Sequence, residues 1–175
     1  PVTGVSEFPD LDEAELDRPA RDTEPGLPVR RLAAPFEALR DAADRSAAEG
    51  RRPTVHLAAL GDLATHTARS TWITNLLAVA GVVAAGAEAD GSMSPAEAQA
   101  RFAESGSPVA VVCSSDGVYA EQAAATATAL KEAGAVKVVL AGAPGDLRDE
   151  LDRAGVDEYW HVGIDVLDAL QRLHE

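Results

Sequence analysis

Five short runs of apolar residues alternate along the chain with longer segments whose apolar residues recur at helical spacing. Short apolar runs bounded by Gly, Pro or charged residues are typical of strands that are covered on both faces. The predicted strands are residues 54–60, 82–87, 109–114, 136–141 and 156–162. The predicted helices start near Pro35 and cover 95–105, 119–133, 145–154 and 164–173, with one more that ends at Gly81.

A helix follows each of the five strands, and this repeat favours right-handed crossovers and a parallel sheet with helices on both faces. The simplest arrangement is a flavodoxin-like (Rossmann-like) α/β fold with strand order 2-1-3-4-5. The third strand is nearly all apolar and should be central. The fifth strand carries Asp157 and Glu158 and should lie at an edge. Ser94 and Pro95 predict the cap and first position of the 95–105 helix.

The stretch from Pro53 to Gly81 is the most informative part of the pattern. It reads as a buried strand, a loop that holds His66, and a helix with one apolar face that ends at Gly81. Ligands of open α/β folds bind at the carboxyl ends of the strands. We therefore expect any ligand site to lie around residues 60–67.

Three regions differ in composition. Residues 1–28 form an acidic, Pro-rich arm with five prolines, and the first 29 residues hold eight acidic residues against two arginines. Residues 29–52 form a connecting helix, and residues 53–175 form the α/β domain. The chain starts at Pro1 and its only methionine is Met93. We expect it to be a piece of a longer polypeptide.

The amino-acid composition excludes several classes of function. The net charge is −14, which argues against binding to nucleic acid or to an anionic membrane surface. No apolar run is long enough to span a membrane, and the first residues lack a signal-peptide pattern. Cys113 is the only cysteine, so an intrachain disulfide is excluded and a reducing, cytoplasmic location is expected. It lies within an apolar run, where a buried and inert thiol is expected.

The loops offer little catalytic chemistry. The loop after the first strand lacks the Gly-rich and Lys-Ser/Thr patterns that hold nucleotides. A receiver-domain phosphorylation site is disfavoured, because the third and fifth strands lack its aspartate and lysine. Ser114 and Ser115 are placed to bind a polar ligand or to cap a helix, and Gly142 permits close approach of a ligand or simply makes a turn. His66 has no partners at metal-site spacing, and no catalytic triad can be assembled. We predict no catalytic residue in this chain.

Four segments, in the same order along the chain, resemble segments of one protein family. They are VRRLAAPFEALRDAAD (29–44), RRPTVHLAALGDLATHTAR (51–69), VAVVCSSDGVYAE (109–121) and VVLAGAPGDLRDELDRAGVDEYWHVG (138–163). Together they resemble the C-terminal, cobalamin-binding-type domain of methylmalonyl-CoA mutase, specifically the small (β) subunit of heterodimeric forms. The resemblance covers nearly all residues from about Val29 onward. It implies an upstream barrel domain and a histidine, His66, at the position of the cobalt ligand.

The departures from the family pattern indicate a degenerate site. Cofactor-binding members carry D-x-H-x-x-G, and the aligned residues here are Ala64, His66 and Arg69. The aspartate that orients the histidine is missing, and a bulky cation replaces the glycine. The family's S-x-L becomes Ser114-Ser115-Asp116, and its G-G becomes Ala141-Gly142. Tyr159 and Trp160 are bulky enough to fill a vacated pocket for the nucleotide tail.

The resemblance therefore implies a non-catalytic small-subunit domain with a vestigial cofactor site at His66, Ser114 and Gly142. The expected partner is the large subunit of a heterodimer. That subunit would bind adenosylcobalamin and the acyl-CoA substrate and interconvert methylmalonyl-CoA and succinyl-CoA. No cofactor is expected in this chain. Two alternatives remain open: a functional corrinoid-binding module with His66 as the cobalt ligand and Ser114 and Gly142 along the tail channel, or a flavodoxin-like regulatory domain for another ligand.

Overall fold

A computed structural model of the chain describes residues 10–11, 31–86 and 93–173. Within these residues the strands are β1 Thr54–Ala59, β2 Val83–Ala85, β3 Val109–Cys113, β4 Lys137–Ala141 and β5 Glu158–Trp160. The helices are α1 Ala34–Ala48, α2 Leu63–Val79, α3 Pro95–Ser105, α4 (residues 116–132), α5 Arg148–Ala154 and α6 Val166–Gln171. Helix α4 contains a π-helical segment, Tyr119–Ala123, and a 3₁₀ turn, Gly145–Leu147, leads into α5.

The five strands form one sheet in the order β2-β1-β3-β4-β5, and every neighbouring pair is parallel. The register pairs Leu57 of β1 with Val111 of β3, and Val111 with Val139 of β4. The predicted α/β class and strand order are thus confirmed, with β3 central and β5 at an edge.

Along each strand the side chains point alternately to the two faces of the sheet, so the hydrophobic core has two layers. Ala110 and Val112 of β3 pack with α3, α4 and α5 on one face of the sheet. Val111 and Cys113 pack with α1, α2 and α6 on the other face. Most core positions hold Ala, Val or Leu, in keeping with the low aromatic content of the sequence.

Helix α1 is fixed to the end of α2 by two arginines. Arg40 donates from Nη1 to the carbonyl oxygen of Ala78 at 3.4 Å, and Arg52 donates to that of Gly81 at 3.2 Å. The carbonyl oxygen of Ala78 also accepts from the backbone N–H of Gly81 at 3.0 Å, so the arginines add to the backbone cap at the end of α2. Gly81 has a φ of +75°, and an added Cβ would lie 2.6 Å from the Cβ of Ala43. Close packing of α1 thus depends on glycine at this position.

Two helices start earlier than the sequence pattern predicts. Helix α2 begins at Leu63, whereas the prediction placed a loop around His66. Helix α4 begins at Asp116, three residues before the predicted start at Tyr119. The start of α3 agrees with the predicted cap, and Gly81, Gly134 and Gly155 follow helix ends as predicted, each with a positive φ. Helix α3 also ends at a glycine, Gly106, which the sequence pattern did not single out.

The predicted acidic arm, residues 1–28, lies outside the described residues except for Asp10 and Leu11. The carbonyl oxygen of Asp10 accepts a hydrogen bond from Nη2 of Arg40 at 2.6 Å. The last residue of the predicted second strand, Ala87, also lies outside the described residues. Among the described helices, none combines the length and apolar character needed to cross a membrane.

Candidate functional site

The carboxyl edge of the sheet brings together the three turns that follow β1, β3 and β4. Ser114 follows β3, and Gly142 follows β4. Both lie close to Arg69 of α2, which the sequence pattern treated only as a substituted glycine. His66 lies one turn earlier on α2, and its side chain contacts Ser70. The structure therefore groups Ser114 and Gly142 around Arg69, with His66 to one side.

His66 is a helical residue, so the predicted loop position is wrong. The carboxylate of Asp62 accepts a hydrogen bond from the backbone N–H of Thr65 at 2.9 Å and caps the helix. The hydrogen bond from the Thr65 hydroxyl, and then the one from its backbone N–H, hold the pKa of Asp62 below its usual range. Because the helix starts directly after β1, His66 enters its second turn and is only 1% exposed. Within the described residues, the carboxylate of Asp62 accepts hydrogen bonds from Thr65, whereas the imidazole contacts Ser70.

The ring of His66 is held in one tautomer by Ser70. Its Nδ1 atom lies 3.3 Å from Oγ of Ser70. That hydroxyl lies 3.1 Å from the carbonyl oxygen of His66 and 3.2 Å from that of Thr67. A hydroxyl has one hydrogen, and the two helix carbonyls lie closer to Oγ than Nδ1 does, so we assign the hydrogen of this contact to Nδ1. Nε2 then carries a lone pair, and it is buried with no hydrogen-bond partner.

The space beside His66 is small, and few side chains around it could bind a metal. The ring borders a recess of about 220 Å³ that is lined by residues of α2 alone, among them Thr67, Thr71 and Thr74. This volume is below the range typical of ligand pockets. In the parts of the chain that the structure describes, no three His, Cys, Asp or Glu side chains come together as a metal site.

Ser114 ties β3 to β1 rather than capping a helix. Its Oγ donates to the carbonyl oxygen of Leu60 at 2.8 Å, and the residue is fully buried. The backbone N–H of Leu60 in turn donates to the carbonyl oxygen of Cys113 at 2.9 Å. Ser115 precedes the first helical residue of α4, but its side chain makes no capping bond. The hydroxyl of Ser114 is therefore already engaged within the fold.

Tyr119 is the central polar residue of this edge, and the sequence pattern did not single it out as a functional residue. Its hydroxyl accepts from the backbone N–H of Ser114 at 2.9 Å and lies 3.0 and 2.9 Å from the carbonyl oxygens of Val112 and Ala141. The residue begins the π-helical segment of α4. Such segments often occur at functional sites. Burial raises the pKa of the phenol, so it stays neutral.

Arg69 joins α2 to the other two turns. Nη1 donates to the carbonyl oxygen of Ser114 and Nη2 to Oδ1 of Asp116, each at 2.5 Å. Its Cζ lies 4.9 Å from the centroid of the Tyr119 ring, a cation–π contact. A Cβ added to Gly142 would lie 3.3 Å from Cζ of Arg69, so the absence of a side chain there makes room for the guanidinium.

Next to Arg69 lies a cavity of about 450 Å³. Its walls include Arg69 and Trp72 of α2, Gly142, and Trp160 at the end of β5. Trp160 is buried, and its Nε1 donates to Oε2 of Glu158 at 2.9 Å. Tyr159 lies on the opposite face of the sheet, where its hydroxyl bonds to Asp152. The expectation that both aromatic residues fill one pocket is therefore wrong for Tyr159, because neighbouring strand residues point to opposite faces.

Cys113 is fully buried at the end of β3. Burial raises the pKa of its thiol to about 12. A thiol in this state is not a nucleophile at neutral pH, in agreement with the inert role expected from the sequence.

Comparisons with known proteins identify relatives over nearly the whole chain. The methylmalonyl-CoA mutase small subunit of Streptomyces virginiae is 46% identical over 173 residues, which is 97% of this chain and 27% of that protein. A probable methylmalonyl-CoA mutase small subunit of Mycobacterium tuberculosis strain H37Rv is 42% identical over 174 residues, 98% of this chain and 27% of that protein. The methylmalonyl-CoA mutase small subunit of Propionibacterium freudenreichii subsp. shermanii is 35% identical over 175 residues, 97% of this chain and 26% of that protein. No family model matches the chain.

The chain thus spans about a quarter of the length of the curated relatives that it matches. The family resemblance drawn from the four sequence segments is confirmed by these relatives. Over nearly its whole length, the chain is similar to a segment of methylmalonyl-CoA mutase small subunits.

Proposed function

We propose that this chain is a structural domain of a methylmalonyl-CoA mutase small subunit and that it binds no corrinoid. The observation that carries this proposal is the position of His66, whose Nε2 atom is buried inside the fold on the second turn of α2. A lower ligand must present this atom to a metal that approaches from outside the chain. Because Nε2 of His66 is covered by its own domain, it is not presented to such a metal.

The other residues at the expected cofactor positions also fit a corrinoid poorly. The carboxylate that would orient the histidine is absent at Ala64, and Asp62 caps the helix instead. The hydroxyl of Ser114 already donates its hydrogen bond to the carbonyl oxygen of Leu60. Beside Gly142, the space left by the missing side chain is occupied by the Arg69 guanidinium. The residues present therefore do not fit the group, and no chemical step is assigned to it in this chain.

In the assembled enzyme, the large subunit would bind adenosylcobalamin and the acyl-CoA substrate and carry out the isomerisation of methylmalonyl-CoA to succinyl-CoA. The small subunit would stabilise the heterodimer, with its acidic arm (residues 1–28) and a barrel domain upstream of this chain among the contacts. A cytoplasmic location agrees with a single cysteine that is buried and unpaired.

The corrinoid content of the purified heterodimer tests the proposal. The full-length small subunit is produced together with its large subunit, and bound corrinoid is counted per heterodimer from the absorption spectrum. We expect one corrinoid per heterodimer, both for the wild type and for H66Q in the small subunit. Two corrinoids per heterodimer, falling to one in H66Q, would overturn the proposal.

One observation favours the alternative of a corrinoid-binding module. The hydrogen on Nδ1 of His66 leaves the lone pair on Nε2, which is the tautomer that metal-ligating histidines use with a hydrogen-bond partner on the other nitrogen. For this alternative, helix α2 would have to unwind at its first two turns to expose Nε2. The same count of corrinoids decides between the two.

A further inference from the structure

The guanidinium of Arg69 lies where three parts of the chain meet. Besides its bonds to the carbonyl oxygen of Ser114 and to Asp116, it stacks on Tyr119, whose hydroxyl is itself bonded to the ends of β3 and β4. The side chain is mostly buried, at 28% exposure, whereas that of Asp116 is 83% exposed. The ion pair with Asp116 is thus at the surface, and the carbonyl and ring contacts lie beneath it.

The backbone after β4 encloses the same group. A Cβ on Gly142 would come within 3.3 Å of Cζ of Arg69 and 3.4 Å of the Tyr119 ring. Contacts this short are tighter than most real Cβ contacts. Helix α2 and the turns after β3 and β4 therefore close around one arginine side chain, with little spare space on the Gly142 side.

Arg69 also marks a boundary of the 450 Å³ cavity. The described residues that line this cavity include Arg69, Trp72 and Trp160. They do not include Ser114 or Tyr119, although Arg69 contacts both. The guanidinium consequently separates the cavity from the polar ends of β3.

We propose that Arg69 is a plug that blocks the path from this cavity to the end of β3, and that it holds α2 to the turns after β3 and β4 in place of a bound ligand. The proposal deepens the proposed function and rests on it, because it names the residue that keeps the cavity closed to a corrinoid tail. The contacts of Arg69 differ from those of an ordinary surface ion pair, which contributes little to stability. The buried contacts should carry most of the effect.

The test compares three variants of this chain: R69G, R69A and D116A. The variant D116A is the matched control, since it removes the exposed ion pair and leaves the carbonyl and ring contacts of Arg69. Thermal unfolding is followed by circular dichroism. Binding is measured by calorimetry with 5,6-dimethylbenzimidazole, the base at the end of the cobalamin nucleotide tail. R69A provides the binding measurement if R69G does not fold.

We expect R69G and R69A to lower the Tm by about 5 °C and D116A by less than about 2 °C. We also expect the Arg69 variants to bind 5,6-dimethylbenzimidazole at least tenfold more tightly than the wild type and D116A. An equal affinity in all four proteins would overturn the plug, whether or not stability falls. Equal losses of Tm in D116A and R69A would overturn it as well, because the surface pair alone would then explain the stability.

These outcomes are separable from the proposed function. If the wild-type chain binds hydroxocobalamin and H66Q abolishes that binding, the proposed function fails whatever the Arg69 variants do. If the wild type binds no corrinoid and the Arg69 variants gain no affinity for the base, the proposed function stands and only the plug is overturned.

Discussion

Nδ1 of His66 lies 3.3 Å from Oγ of Ser70, one turn further along helix α2. The pair takes the place of the carboxylate–histidine pair that the family pattern would put in a loop. It differs in one respect that matters for function, because both residues are buried on a helix and Nε2 is covered.

The tautomer of His66 is the first testable consequence. Because the Ser70 hydrogen is used by the helix carbonyls, a two-bond ¹H–¹⁵N spectrum should show His66 protonated at Nδ1 and not at Nε2. S70A removes the acceptor for that hydrogen, and we expect the two tautomers to become mixed. T71A, an exposed neighbour on the same helix, should leave the wild-type spectrum unchanged. A wild-type ring protonated at Nε2 would contradict the assignment.

Gly81 should be far less tolerant of a side chain than another glycine in the same backbone region. Gly81 and Gly106 have φ values of +75° and +67°, so alanine is strained at both. Only at Gly81 does the added Cβ meet another residue, Ala43 at 2.6 Å, whereas nothing lies within 4 Å at Gly106. We expect G106A to lower the free energy of unfolding by about 1 kcal/mol. G81A should lower it by about 1–3 kcal/mol more, because α1 must move.

Urea unfolding measures both variants. Equal losses in G81A and G106A would show that the contact between α1 and the end of α2 contributes nothing beyond backbone strain.

His56 should make the fold sensitive to mild acid. It is buried in β1, its ring contacts Phe102 edge-on, and its Nε2 has no partner. Burial lowers the pKa of His56, and Arg101 lowers it further. The folded pKa is thus below the unfolded value of about 6.5, so the unfolded state binds the extra proton first. The contribution of neutral His56 to the free energy of unfolding is fully present above about pH 6.5 and falls as the pH drops toward the pKa of the folded state.

We expect the free energy of unfolding to fall by about 1 kcal/mol between pH 7.5 and pH 5.5 in the wild type. H56L should lose most of this dependence on pH, while H161L should keep it. The same slope in H56L and the wild type would assign the effect to other groups.

Cys113 should react only when the chain unfolds. Its thiol is fully buried in the layer formed with α1, α2 and α6, and its pKa is raised to about 12. We expect 5,5′-dithiobis-(2-nitrobenzoate) to label the native chain no faster than the rate of unfolding, and at once in concentrated urea. Rapid labelling of the native chain would show that the end of β3 is open to solvent.

The fold could be predicted from the sequence because its signals are local. Apolar runs of strand length, the Ser94–Pro95 start and the glycines at helix ends each act within a few residues, and all are found where expected. The start of α2 was missed although a local signal existed. Asp62 followed by Thr65 is a capping pattern, and it competed with the family pattern that places a loop there.

The arrangement around Arg69 could not be predicted in the same way. Its contacts with Ser114 and Asp116 join residues 45 and 47 positions apart in the chain. They depend on the crossover of the sheet and on the space beside Gly142. The sequence identified the substitution of a glycine by arginine, but only the fold indicates what the guanidinium contacts. The opposite faces of Tyr159 and Trp160, by contrast, could have been predicted, because both residues lie in the predicted strand 156–162 and neighbouring strand residues point to opposite faces.

The most direct test of the central claim is a titration of this chain with hydroxocobalamin and adenosylcobalamin, followed by gel filtration and absorbance. We predict that no corrinoid elutes with the protein even at high micromolar concentration, because Nε2 of His66 is covered and Arg69 occupies the space beside Gly142. Co-elution of a corrinoid with a base-off spectrum that H66Q abolishes would contradict the account. The small subunit would then hold a second cofactor site.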